Sequence, residues 1–270
     1  MATQGIRFLH RFSLGEYNTT FPGVNVISVT STAPGDFSKT NLTTTPLREV
    51  WRSATAATTQ EIIIRANDLN TVIDTFGLLN HNLTDLAVVT LQANIANNFT
   101  SPPLTINLTW NKKNMVLVQN LGVAYEYFKI KITDPTNPCG YIAIGRIVAG
   151  ASFVMVDNED ITDDIKNGRD DLAYKMKTEG FFRASNERVK VRKLAIRFNK
   201  LRTFLGTNDV NFRNLDDMFE NVGETYPFLT IVDSNDPYFI VMWGQIESLP
   251  ADDLTINRYV SMSFQIQEVY

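Results

Sequence analysis

Cysteine and histidine are nearly missing from this 270-residue chain, which has one cysteine, Cys139, and two histidines, His10 and His81. A lone cysteine rules out an internal disulfide, and its Asn137-Pro138-Cys139-Gly140 setting reads as a turn carrying a small structural residue. Neither histidine stands in the H-E-x-x-H or H-x-x-x-H spacing that seats a metal. The chain has no G-x-S-x-G nucleophile turn and neither of the Gly-rich patterns that cradle phosphates. With so little catalytic vocabulary, the expectation is a non-enzymatic protein with no cofactor and no metal.

Long hydrophobic runs are also absent. No stretch of 18 apolar residues occurs, so no membrane-spanning helix is expected, and the start Met1-Ala2-Thr3-Gln4-Gly5-Ile6-Arg7 lacks the apolar centre of a signal peptide. Synthesis and folding in the cytoplasm follow. Five Asn-x-Thr triplets, at Asn18, Asn41, Asn82, Asn98 and Asn107, are then read as products of an Asn/Thr-rich composition rather than as glycan sites. Neither sign of charge dominates: 25 Lys and Arg stand against 29 Asp and Glu, a balance that argues against nucleic acid as the main partner.

What is present is apolar mass, 44% of the residues, enough to bury a sizeable core. Charge divides it. Residues 1–150 carry 11 basic and 9 acidic residues, net +2, and residues 151–270 carry 14 and 20, net −6. This shift near residue 155 suggests an N-terminal arm over 1–23, a first domain over 24–155 and a second over 156–270.

The first domain reads as β throughout. In Phe128-Lys129-Ile130-Lys131-Ile132 a period of two puts three apolar side chains on one face and two ammonium groups on the other. Segments 24–29, 61–65, 87–91, 104–110 and 115–118 add β-branched strands separated by Asn, Pro and Gly turns. Many short strands with few helices predict a sandwich or jelly roll.

The second domain opens on an acidic stretch from Asp157 to Asp171 that does not fit the EF-hand pattern and reads as a solvated linker. Next, Val189 and Val191 alternate on one parity and Leu194, Ile196 and Phe198 on the other, which suggests a β-bulge at Arg192-Lys193. One helix is expected over 214–221, with Leu215, Met218, Phe219 and Val222 on one face, Asn214 as cap and Gly223 past its end. Strands at 238–247 and 261–267 complete an α+β lobe, the latter polar on one face.

Two groups invite a functional reading beside a structural one. Between Arg183 and Arg202 eight basic residues face one acid, Glu187. Such a stripe is a solvated face or a partner for the chain's own 157–171 segment; alternatively Arg188, Lys190, Arg192, Lys193 and Arg197 form a contact between subunits. Trp51, Trp110, Trp243, Tyr125 and Tyr127 sit in or beside strands, where aromatics fill cores, but an exposed ring could stack on a sugar.

From residue 46 to 153 the order of short segments resembles the discoidin-like, or galactose-binding-like, jelly roll found in structural proteins of tailed-bacteriophage virions. The resemblance lies in Trp51-Arg52-Ser53 after a loop, in Leu78-Leu79-Asn80-His81-Asn82 closing an apolar run, in the strand from Tyr125 to Ile132, and in the hairpin-like Ile144-Gly145-Arg146-Ile147-Val148-Ala149-Gly150. It covers roughly 40% of the chain. The fold it implies is mainly β, a jelly-roll β-sandwich followed by a smaller α+β lobe with one clear helix. The role it implies is a non-enzymatic part of a tail tip or baseplate, made in the host cytoplasm and built into the virion with copies of itself and other virion proteins. A carbohydrate-binding module that contacts host-surface glycan is the alternative.

Overall fold

The computed structural model describes residues 6–10, 25–43, 47–66, 70, 72–155, 166–171, 175–177, 183–185, 190–202, 210–232, 241–248, 253–255 and 259–269. The chain forms two compact units. One comprises 1–154 with 229–242 and 270, the other 155–228 with 243–269. The described residues 229–232 and 241–242, assigned from sequence to the second domain, fall in the first unit.

In the first unit β1 (Arg7–Leu9) lies between β11 (Phe153–Val154) and β16 (Phe228–Ile231), antiparallel to both. Sequence placed this segment in an arm. Ile6, Phe8 and Leu9 are instead buried, because Phe8 packs on Phe153 and the strand finds two partners from distant parts of the chain. The rest of the expected arm, 1–5 and 11–23, lies outside the described residues.

The main body of this unit is a sandwich of two antiparallel sheets. Five strands, β2 (Asn25–Val29), β4 (Gln60–Arg65), β6 (Val88–Asn94), β7 (Leu104–Asn107) and β9 (Tyr127–Thr133), lie in the order β2-β4-β9-β6-β7. Four, β3 (Trp51–Arg52), β5 (Thr75–His81), β8 (Asn114–Val118) and β10 (Ala143–Gly150), lie in the order β3-β10-β5-β8. Apart from the β6–β7 hairpin, every connection from β2 to β10 crosses from one sheet to the other, which defines a jelly roll. The expected alternation holds in β9: Phe128, Ile130 and Ile132 are buried, while Lys129 and Lys131 sit on the outer face. Ile62, Ile64 and Leu91 join them from the same sheet and meet Trp51, Phe76, Leu78, Met115, Ile144 and Ile147 from the other.

β10 corrects the expectation of a hairpin. All eight residues are buried in one continuous strand between β3 and β5. Register explains the motif: Ile144 pairs with His81 and Arg146 with Leu79, and both Ile144 and Ile147 enter the core. Gly145 is required because a Cβ there would lie 2.6 Å from the Leu47 carbonyl oxygen. Arg146, with no exposed surface, is buried in the four-stranded sheet.

The second unit has β12 (Lys166–Asp171), β13 (Lys175–Lys177), β14 (Arg183–Ser185), β15 (Lys190–Arg202), α1 (Val210–Val222), β17 (Val241–Ser248) from Trp243 onward, β18 (Asp253–Thr255) and β19 (Tyr259–Glu268). β15 is central, between β12 and β19. The expected bulge at Arg192-Lys193 is not there: pairing with β12 runs unbroken from Lys190 to Ala195, and the register shift falls between Phe198 and Leu201. Val191 and Leu194 face opposite sides of the sheet and both are buried, so the slip in apolar phase records two covered faces.

α1 buries Leu215, Met218, Phe219 and Val222 as expected, with Phe219 edge-on to Phe264 at 5.1 Å. It starts four residues earlier than the sequence suggested, so Asn214 lies inside the helix and not at its cap. Gly223, at φ +50, ends it.

Candidate functional site

Strand directions collect the 30–50, 52–60, 82–87, 108–113 and 134–142 segments at one end of the sandwich. The Trp-Arg-Ser triplet builds one edge of this end, each residue with its own task. Trp51 points into the core. Ser53, also buried, donates its backbone N–H to the Ile142 carbonyl at 2.8 Å and accepts from the Ile142 N–H through Oγ at 2.9 Å, tying the 52–60 loop to the approach to β10. Arg52, between them, points the other way, with its Cζ 3.3 Å from the centroid of the Tyr141 ring and 5.0 Å from that of Phe37.

Buried side-chain hydrogen bonds tie these loops to one another. The Asp134 carboxylate, with no exposed surface, accepts from the Thr84 N–H at 3.0 Å, the Thr84 hydroxyl at 2.7 Å and the Asn137 amide at 2.8 Å. Asn82 donates to the Tyr141 carbonyl at 2.9 Å and accepts from the Ala143 N–H at 2.8 Å, fixing the backbone that presents Tyr141. Both ends of its side-chain amide are thereby engaged. Gln60, fully buried, accepts from the Ser31 hydroxyl at 2.7 Å and donates to the carbonyls of Thr55 and Thr58.

His81 ends β5 among these loops. Its Nδ1 accepts from the Leu83 N–H at 3.2 Å, so a neutral ring carries its proton on Nε2. Burial pushes the imidazole down from 6.5 to about 4, opposed by the backbone of Asn111. A native pKa below the unfolded one means that the unfolded chain takes up the proton first. The associated stability is complete above about pH 6.5 and declines as pH falls towards 4. We expect wild type to lose about 1 kcal/mol of unfolding free energy more per pH unit across that window than His81→Gln, measured by urea titration at each pH.

Of the aromatic residues considered for sugar stacking, Trp51, Trp243 and Tyr125 are buried and thus unavailable. Trp110 is partly buried with its indole N–H donated to the Leu83 carbonyl at 3.1 Å, and Tyr127 lies on the outer face beside Arg65. Tyr141 and Phe37, the two half-exposed rings that meet Arg52, went unremarked in the sequence, as did Asp134. The Asp134-Pro135-Thr136-Asn137-Pro138 turn was the available signal.

Two residues of the basic stripe, Arg192 and Lys193, pair with acids of their own unit. Arg192 forks onto Glu268, with Nε donating to Oε2 at 2.9 Å and an Nη to Oε1, and the Lys193 ammonium lies 2.6 Å from Glu247. Arg197 is exposed, Lys190 is placed by backbone register opposite Asp171, and Arg188 lies outside the described residues. Of the acidic 157–171 segment, residues 166–171 form β12 and pair through the backbone with 190–195, and 157–165 lie outside the described residues. Cys139 is free and exposed on its turn. Among the described residues no three His, Cys, Asp or Glu side chains gather as a metal site, and no helix is long and apolar enough to cross a membrane.

No protein-family model and no curated protein matches the chain. Among solved structures it is similar to the module CBM32-3 from a family 31 glycoside hydrolase of Clostridium perfringens, at 17% identity over 47% of this chain and 90% of that one, TM-score 0.39. It is similar to chitosan-binding module 1 of a chitosanase/glucanase from Paenibacillus sp. IK-5, at 12% identity over 53% and 100%, TM-score 0.39. The lectin domain of lectinolysin, solved with Lewis B antigen, gives 12% over 52% and 94%, TM-score 0.38. Likeness at this level transfers neither ligand nor site. The class, a mainly β protein with a jelly-roll sandwich, stands on the strand order and shared core described above.

Proposed function

We propose that this chain is a non-enzymatic recognition protein whose jelly roll binds glycan at the loop end bearing Phe37, Arg52 and Tyr141. The carrying observation is the platform itself: two half-exposed rings hold a guanidinium in place, on loops locked by Asp134, Asn82 and Gln60. Sugars are recognised by fixed donors beside apolar ring surface, and a platform ordered before binding avoids much of the entropic cost of ordering side chains. The histidines supply no reactive group in this reading, since both are buried. A glycan array probed with the purified protein is expected to return hits that fall at least about tenfold, a loss of roughly 1.4 kcal/mol, in Tyr141→Ala. An array without hits would sink the reading.

A second reading, a structural part of a phage tail end assembled with copies of itself and other virion proteins, is favoured by different residues. Leu86 and Val88, two positions apart, are 71% and 57% exposed. Apolar pairs of this kind suit a protein contact. In that reading Arg197, exposed on β15, is a basic residue of the stripe available for the contact. Light scattering and negative-stain imaging of the purified chain decide it: rings or defined oligomers are its expected result, and a monomer counts against it.

A further inference from the structure

We infer that the ligand is an acidic glycan and that Arg52 reads its carboxylate; the inference rests on the glycan reading above. Five other cations of the described residues lie against acids of the chain. Arg7 lies against Asp74, Arg65 against Glu126, Lys129 against Glu61, Arg192 against Glu268 and Lys193 against Glu247. Arg52 is held just as firmly, yet by rings alone. Among the described residues its guanidinium has no carboxylate partner and makes no hydrogen bond, and Phe37 and Tyr141 touch no second cation.

The stacking defines what remains available. With a ring centroid 3.3 Å from Cζ, one face of the guanidinium plane is occupied, and the N–H donors lie along its edge. That edge is a planar fork, and its natural complement is a planar carboxylate taken through two parallel N–H···O bonds. A single fork with no second cation on the platform suits a singly charged carboxylate. Its backbone is fixed as well: Trp51 anchors the strand in the core, Arg52 pairs with Ala143 of β10, and its carbonyl accepts from the Ala33 N–H at 2.8 Å. The residue therefore presents a nearly preorganised anion receptor beside two apolar rings. Sialic- and hexuronic-acid sugars carry that combination of carboxylate and pyranose.

The test is an array of sialylated and hexuronate-containing glycans printed beside their desialylated or methyl-esterified counterparts, with hits confirmed by calorimetry. We expect the acid member of a pair to bind about 10- to 100-fold more tightly, as a charge-assisted fork implies. Arg52→Gln should abolish that preference, and Arg52→Lys, which keeps the charge and loses the fork, should retain only part of it. Circular dichroism and the urea midpoint of each variant establish that it is folded. Hits confined to neutral glycans, or an acid preference unchanged in folded Arg52→Gln, would overturn the inference and leave the glycan reading standing. An array with no hits of either kind overturns both.

Discussion

Replacing Trp51 with alanine is expected to lower the unfolding free energy of the chain by about 3–5 kcal/mol, the range for removing a large aromatic from a packed interior. Trp51 has no exposed surface and lies in the core shared by both sheets of the jelly roll, facing the row built from Ile62, Ile64, Phe128, Ile130 and Ile132. Its strand is only two residues long, so the ring, more than the backbone ladder, holds this edge in place. Its indole N–H makes a long contact of 3.4 Å with the Thr32 hydroxyl, so the loss is chiefly one of packing. The measurement is a urea titration, in which the midpoint should fall. Trp110→Ala, at a partly buried position, is the control and should cost less. Similar costs for the two would show that Trp51 does not organise the core. The substitution should also weaken any ligand held by Arg52, because the neighbouring side chain loses its anchor.

Glu268→Ala is expected to have a comparable effect in the second unit, about 3–5 kcal/mol, for a different reason. The carboxylate is 3% exposed and accepts the Arg192 fork, which is itself mostly buried. Two ions removed from water together are tolerable because each satisfies the other. Removing one takes from the other its opposite charge in a mostly desolvated setting, which is the costly state. Glu268→Gln keeps an acceptor in nearly the same place and should recover part of the loss. A double change, Glu268→Ala with Arg192→Met, should recover most of it, since no buried charge is left behind. Urea midpoints of the three variants test this. An additive double variant would mean that the pair does not act as a unit.

Much of the architecture was readable from residue order because a β-sandwich writes its period into the chain. The alternation in Phe128-Lys129-Ile130-Lys131-Ile132 needed no partner to be seen, since one face of each outer strand is wet and the other dry. The amphipathic face of α1 was equally plain, because Leu215, Met218, Phe219 and Val222 repeat at the helical spacing. β10 and β15 were misread for one shared cause. Both lie between two neighbouring strands and are covered on two faces, so the alternation that signals a strand is lost. In β10 it became an apparent hairpin, and in β15 an apparent bulge.

The candidate site was legible only in part. Trp51-Arg52-Ser53 and Asn80-His81-Asn82 stood out as motifs, but what each residue does depends on segments far away in the chain. Arg52 acquires its meaning from Tyr141 and Phe37, Asn82 from residues 141–143, and Ser53 from Ile142. The same holds for Arg192 and Lys193 of the basic stripe, whose charges look free until Glu268 and Glu247 arrive from other strands.

By itself the sequence determined that the protein is mostly β, has a large apolar interior, no internal disulfide and one amphipathic helix, because composition and local period carry those properties. Only the tertiary structure decided that Arg7–Leu9 is a strand buried at Phe8 and Leu9, that residues 229–231 pair with it in the first unit, and that Arg52 sits against two rings at a loop end. The physical reason is that burial, pairing and charge compensation are properties of contacts between distant residues, and neither spacing nor propensity records which distant residues will meet.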